Sequence, residues 1–156
     1  MVSFNIALKP DHVGIVVLYI HGAKDLPQWP NMTRTGWDMD PFVKVSIGEE
    51  VKSTKVIRHK LDPVWDEELL FHVRQQDLQV PIRLAIFDWD RFTRNDLVGL
   101  AEINVTEWAA SKGPNTALHP VDLPSVLDFN DLLLTKNPDP SRAYTRTPTI
   151  TFRCVS

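Results

Sequence analysis

The sequence predicts an all-β sandwich, and three observations carry that expectation. Apolar residues recur at period two: Leu69, Phe71 and Val73 face one way against Leu70, His72 and Arg74, and Val43, Val45 and Ile47 against Phe42, Lys44 and Ser46. Alternation of this kind places successive side chains on opposite faces of a strand. The apolar runs are short, and turn chemistry separates them, with twelve prolines among the joints, including Pro27, Pro30, Pro41, Pro63, Pro81 and Pro120. The chain has 156 residues, 43% of them hydrophobic, which suits one domain over residues 1–156 with a core of ordinary size.

Taken in order, the expected strands are Val2 to Leu8, Val13 to His21, Phe42 to Ile47, Lys52 to Ile57, Glu68 to Val73, Ile82 to Phe87, Val98 to Asn104, Thr116 to Val121 and Thr149 to Val155. Each is rich in β-branched or aromatic residues, or alternates apolar with polar ones. One short helix is expected over Thr106 to Lys112, with Thr106 as N-cap and Glu107 in its first turn. Asp122 to Pro148 is polar and proline-bearing, and reads as a long loop before the last strand. Its apolar middle, Val126 to Leu134, reads as a helical turn packed on the sandwich.

Composition excludes several classes of function. The net charge of −3 provides no overall basic field for nucleic acid. Cys154 is the single cysteine, so no internal disulfide forms, and a reducing, cytoplasmic setting is expected. On that reading the triplets Asn31-Met32-Thr33 and Asn104-Val105-Thr106 are chance matches to a glycosylation signal. No apolar run approaches the roughly 20 residues that span a bilayer. The five histidines lie far apart without zinc spacing, and HExxH, a P-loop and GxSxG are all missing.

Chemistry concentrates in four aspartates. Asp88 and Asp90 follow the apolar run Ile82 to Phe87 at alternate positions, so in extended geometry both side chains share a face. Asp96 comes after the polar stretch RFTRN, which is long enough to turn back to the same place, and Asp40 heads the distant segment DPFVKV. Crowded carboxylates repel and need a counter-charge. Hard oxygen donors on loops suit calcium better than zinc or magnesium.

Three signatures stand in order: WDMDPFVKVSIG, STKVIRHKLDPVWDEELLFHV and LAIFDWDRFTRNDLVGLAEINV. Together they resemble the C2 domain, an eight-stranded antiparallel Greek-key sandwich whose loops at one end bind calcium and then phospholipid. The resemblance runs from about Val13 to Asn104 and more loosely to the end. WDMDPFVKV followed by LDPVWDE most resembles the C2 region ahead of the catalytic part in fungal phosphatidylserine decarboxylases. The resemblance implies that Asp40, Asp88, Asp90 and Asp96 are calcium ligands, with the Trp89 carbonyl and Thr93 as further donors. The family's usual fifth acid falls at Arg34 here, and Asp38 is the nearest replacement. Fewer tightly held ions are therefore expected than in the fullest family members. Of the two family topologies, the well-formed TITFRCV ending favours type II.

Beside the acids lie groups suited to a membrane surface. Phe92 sits between Asp90 and Asp96, flanked by Arg91 and Arg94, and Trp29, Met32 and Trp37 precede Asp40. Aromatic side chains partition into the bilayer interface and basic ones are drawn to anionic headgroups. Lys44, joined by Lys52 or Lys55, is the candidate for a phosphoinositide groove, whereas the run Lys52, Lys55, Arg58, His59 and Lys60 otherwise reads as a solvated edge that deters aggregation. The sequence therefore predicts a peripheral membrane protein of the cytoplasm that binds anionic phospholipid, phosphatidylserine first, when calcium is present. A rival reading is a calcium-independent adaptor that binds a protein partner or another part of its own polypeptide. Catalysis is not expected within these residues: the decarboxylases cut themselves at a Gly-Ser type bond, and this chain has no Gly-Ser pair.

Overall fold

The structure is a computed structural model, and it describes residues 11–28, 39–91, 93–104, 126–133, 135–136 and 149–155. Within them two antiparallel sheets face one another. The strands are β1 (His12–Lys24), β2 (Pro41–Ile47), β3 (Glu50–Ser53), β4 (Val64–Arg74), β5 (Ile82–Asp88), β6 (Asp96–Ile103), β7 (Val126–Leu133), β8 (Thr135–Lys136) and β9 (Thr149–Val155). One sheet has the order β4-β1-β9-β7 and the other β3-β2-β5-β6-β8, so the chain passes repeatedly from sheet to sheet. Strand β9 lies between β1 and β7.

Alternation in the sequence becomes the inside and outside of the sandwich. On β2, Val43, Val45 and Ile47 are buried while Lys44 is exposed; on β4, Leu69, Phe71 and Val73 are buried while Leu70 and His72 are exposed. Leu18, Ile20, Val43, Val45, Phe71, Leu84, Ile86 and Val98 retain no accessible surface and meet between the sheets. Each such side chain contributes about 1.5–3 kcal/mol by leaving water. Gly22 lets β1 pass the end of β4 closely, since a Cβ there would lie 2.7 Å from the Pro63 carbonyl oxygen.

Three expectations change. Val126 to Leu134 is not a helical turn: Val126–Leu133 is strand β7, paired with β9. Leu127 and Phe129 do alternate with Asp128 and Asn130, but the register shifts between Phe129 and Leu132, and that irregularity breaks the period. The expected loop from Asp122 to Pro148 accordingly carries β7 and β8. The strand expected over Lys52 to Ile57 ends at Ser53. Beyond it, Thr54, Ile57 and Lys60 donate backbone N–H groups to Val43, Pro41 and Met39 at 3.0, 3.0 and 2.9 Å, a three-residue spacing that does not continue a ladder. A 3-10 turn at Gln75–Gln79, not foreseen, caps the far end of the sandwich. The expected strands Val2 to Leu8 and Thr116 to Val121 and the helix Thr106 to Lys112 lie outside the described residues.

Candidate functional site

Strands β2, β5 and β6 are neighbours, and their ends carry the acids. Asp40 immediately precedes β2; Pro41 pairs with Asp88, the last residue of β5, and Asp88 pairs across the hairpin with Asp96, the first residue of β6. Asp40 and Asp88, 48 positions apart in the sequence, are in direct contact: the Asp40 N–H donates to Asp88 Oδ1 at 2.8 Å. The Trp89 N–H in turn donates to the Asp40 carbonyl oxygen at 3.0 Å. Behind this clamp the Trp65 indole, 1% exposed, donates from Nε1 to the Pro41 carbonyl oxygen at 3.4 Å. The segment LDPVWDE thus acts as a turn and a packed indole, and the indole holds the strand that presents Asp40.

The electrostatics follow from that convergence. Burial pushes the Asp88 carboxyl up from its ordinary value, and the carboxylates of Asp40, Asp96 and Asp90 push in the same direction, opposed by the Asp40 N–H, which favours the charged form. Asp90 is exposed; its N–H donates to Asn95 Oδ1 at 3.1 Å and its Oδ2 accepts the Thr93 hydroxyl at 2.7 Å. Asp40 is only 15% exposed at its side chain. Its Oδ1 accepts the His59 N–H at 2.8 Å and lies 3.4 Å from His59 Nδ1, while its Oδ2 lies 3.9 Å from Arg58 Nη1. The Arg58 guanidinium also covers the Trp89 ring, 5.0 Å from its centroid.

Four carboxylates on adjoining strand ends and the loop between them give a hard oxygen donor set of the kind calcium takes, and Asp88 is pushed up first by its burial and then by the three neighbouring carboxylates. The cage is open. Among the described residues no three histidine, cysteine or carboxylate side chains stand together as a finished metal cluster. Asp40 is engaged by His59 and Arg58, and Asp90 by Thr93, so the side chains must swing to share one ion. By donor type and by strand placement the residues fit calcium, with that rearrangement.

Of the expected membrane contacts, Arg91 and Arg94 are exposed in the β5–β6 loop, beside the acids. Trp29, Met32, Trp37, Asp38 and Phe92 lie outside the described residues. Lys44 is exposed. Its Nζ sits 5.2 Å from the Phe87 ring centroid and 5.9 Å from that of Phe42, two rings that stack at 5.8 Å. Lys52 turns instead toward Glu50, at 3.1 Å, and the Phe71 ring; Lys55 Nζ donates to the Trp65 carbonyl oxygen at 3.3 Å. Lys52 pairs with the core-facing Val45, on the face opposite to Lys44, and Lys55 lies beyond the strand end. Sequence reasoning also missed Arg58 and His59 as partners of Asp40. The one signal was their nearness to LDPVWDE; the left-handed backbone of His59, φ 55°, which aims its N–H, is not legible in composition.

Among the described residues no helix is long and apolar enough to cross a membrane. Comparison with known proteins agrees with the fold. A phosphatidylserine decarboxylase proenzyme of Schizosaccharomyces pombe is 34% identical over 112 residues, which cover 70% of this chain and 12% of that protein. The chain thus spans about an eighth of that relative's length. A C2 domain of plant Extended Synaptotagmin 1 superposes with a TM-score of 0.62 at 26% identity, over 92% of this chain and 93% of that one. The calcium-bound pair of C2 domains from Extended-Synaptotagmin 2 superposes with a TM-score of 0.67 at 19% identity, over 91% of this chain and 45% of that one. The C2 domain family profile matches residues 14–120, so that with the sandwich and its acidic strand ends, this chain belongs to the C2 domain family.

Proposed function

We propose that this domain binds anionic phospholipid membranes reversibly, phosphatidylserine first, in response to calcium. The observation that carries the reading is the contact of Asp40 with Asp88 beside Asp96, with Asp88 pushed toward its protonated form by burial and by the surrounding carboxylates. Asp40, Asp88, Asp90 and Asp96 are the residues that would hold calcium, joined by the Trp89 carbonyl, Thr93 and Asp38. Calcium, when bound, supplies positive charge and open coordination positions for headgroup oxygens. Without it, the acids hold the loops away from an anionic surface. Arg91 and Arg94 face the headgroups, and Phe92, Trp29, Met32 and Trp37 enter the interfacial layer. One buried ring gives about 1.5–3 kcal/mol and one basic residue about 1 kcal/mol. Two of each amount to about 5–8 kcal/mol gross, which corresponds to millimolar to micromolar, switchable attachment.

By its likeness to the decarboxylase, the domain serves as the part that localises or regulates a lipid enzyme or a trafficking protein on the cytoplasmic side of a membrane, while catalysis resides elsewhere. The test is co-sedimentation with phosphatidylserine vesicles, with and without calcium. Wild type should pellet only with calcium, and the double variant Asp88→Asn, Asp90→Asn should stay in solution while keeping its fold. A double variant that still pellets only when calcium is added refutes the assignment. The open cage and the pairing of Asp40 with Arg58 and His59 favour a second reading, a calcium-independent adaptor for a protein or intramolecular partner. Under that reading calcium produces neither heat nor a thermal shift.

A further inference from the structure

Asp40 is already attended by basic residues of its own chain. Residues 54–60 run beside the start of β2 and bring Arg58 and His59 onto its carboxylate. The two oxygens are treated differently. Oδ1 accepts the His59 N–H at 2.8 Å, a fixed backbone bond that orients the carboxylate. Oδ2 faces a side-chain partner instead, the Arg58 guanidinium at 3.9 Å, and the Arg58 side chain is 64% exposed. An exposed ion pair of that length is weak and salt-screened, hence readily exchanged. The same guanidinium rests on the Trp89 ring at 5.0 Å, within the range of a cation–π contact. Trp89 lies between Asp88 and Asp90, and its N–H is bonded to the Asp40 carbonyl oxygen, so Arg58 lies against the Asp40 carboxylate and against the residue that separates Asp88 from Asp90.

We propose that Arg58 is a tethered counter-cation of the acidic tips, which neutralises Asp40 while calcium is absent and must yield Oδ2 when calcium arrives. Arg58 thereby sets how much calcium the domain requires before it engages a membrane. The inference rests on the calcium reading above. A dication near the carboxylates interacts with them twice as strongly as a monocation at equal distance, and it repels a guanidinium left beside it. The chain's own cation therefore competes with calcium at every concentration. Its local concentration is fixed by the covalent tether. The Trp89 ring gives the displaced guanidinium a place to remain, close to the loop end.

Calcium titration calorimetry on the full chain, without lipid, tests this. Arg58→Gln and Arg58→Met should both bind calcium roughly 3- to 10-fold more tightly than wild type at low salt, the charge being absent in each. Arg58→Met also keeps an apolar stem against Trp89, so agreement between the two separates charge from packing. Arg58→Lys should stay near wild type. In about 1 M salt, where the Debye length is about 3 Å, the gap between Arg58→Gln and wild type should close. Calcium binding by Arg58→Gln alone also supports the proposal. Wild type that binds calcium no more weakly than Arg58→Gln and Arg58→Met overturns the proposal and leaves the calcium reading standing. No binding by any of the proteins overturns both.

Discussion

Asp88→Asn separates the charge on the acidic tips from their shape. In the calcium-free protein Asp88 is half-buried among Asp40, Asp90 and Asp96. Like-charge interactions across accessible loops are each worth about 0.5 kcal/mol, so removing three relieves about 1.5 kcal/mol. Asn keeps a carbonyl oxygen for the Asp40 N–H at 2.8 Å, but a neutral acceptor is weaker than a carboxylate by about 1 kcal/mol. The variant should therefore exceed wild-type stability by about 0.5 kcal/mol at neutral pH without calcium. With calcium at about 100 times its dissociation constant, wild type gains about 2.7 kcal/mol, a rise in Tm of about 5–10 °C for a chain of this size, and the variant gains little. The order of stability thus inverts between the two conditions. The pH dependence has a definite sign. The folded-state value of Asp88 is raised, so wild type carries the full charge penalty above that value and loses it as pH falls through it toward the ordinary value of 3.8. Any advantage of the variant should fade over the same window. Urea denaturation and thermal melts at several pH values read all of this; a variant more than about 2 kcal/mol less stable than wild type without calcium would refute the electrostatic argument.

Other perturbations give equally definite expectations. Gly48 has φ 58°, and a Cβ there would lie 2.0 Å from Asp77 Oδ1; Asp77 is itself 5% exposed and held by Arg74. Gly48→Ala should cost at least about 2 kcal/mol in urea denaturation, and a neutral result would contradict the rigidity of that corner. Trp65→Phe removes the Nε1 bond to the Pro41 carbonyl and part of a buried ring, and should cost about 2–3 kcal/mol and weaken calcium binding, because Pro41 follows Asp40. A variant destabilised by that amount with unchanged calcium affinity would show that the indole supports the core alone. Phe92→Ala should reduce vesicle affinity about 10-fold, the loss of roughly 1.5 kcal/mol of burial, without altering calcium affinity in solution. Unaltered vesicle affinity would exclude insertion of that ring.

Much of the sandwich is legible because burial on one face imposes period two, and the alternation on β2 and β4 reappears as buried and exposed residues. Legibility fails where the ladder is irregular. The shift between Phe129 and Leu132 hid β7, and the expected strand Lys52 to Ile57 ran four residues too far, because the segment after Ser53 bonds to β2 and the residues before it only at every third residue. The meeting of Asp88 with Asp96 was readable from their spacing around a turn. The grouping of Asp40 with Asp88 came from the resemblance that WDMDPFVKVSIG helps to carry, since local spacing says nothing across 48 residues. Arg58 and His59 were not readable as partners of Asp40. A basic run looks like any solvated edge until the backbone turns, at a positive φ, to face an acid. Strand parity fixes the faces of Lys44 and Lys52, whereas Lys55 lies past the strand end, where parity no longer applies.

The central claim is that the ends of β2, β5 and β6 close around a divalent cation. Amide NMR of the full chain during calcium titration tests this residue by residue. The amides of Asp40, His59, Asp88, Trp89, Asp90 and Asp96 should shift together along one binding curve, while Gly48, Arg74 and Asp77 at the opposite end of the sandwich stay in place. A spectrum that does not move with calcium, or shifts confined to residues away from those three strand ends, would contradict it.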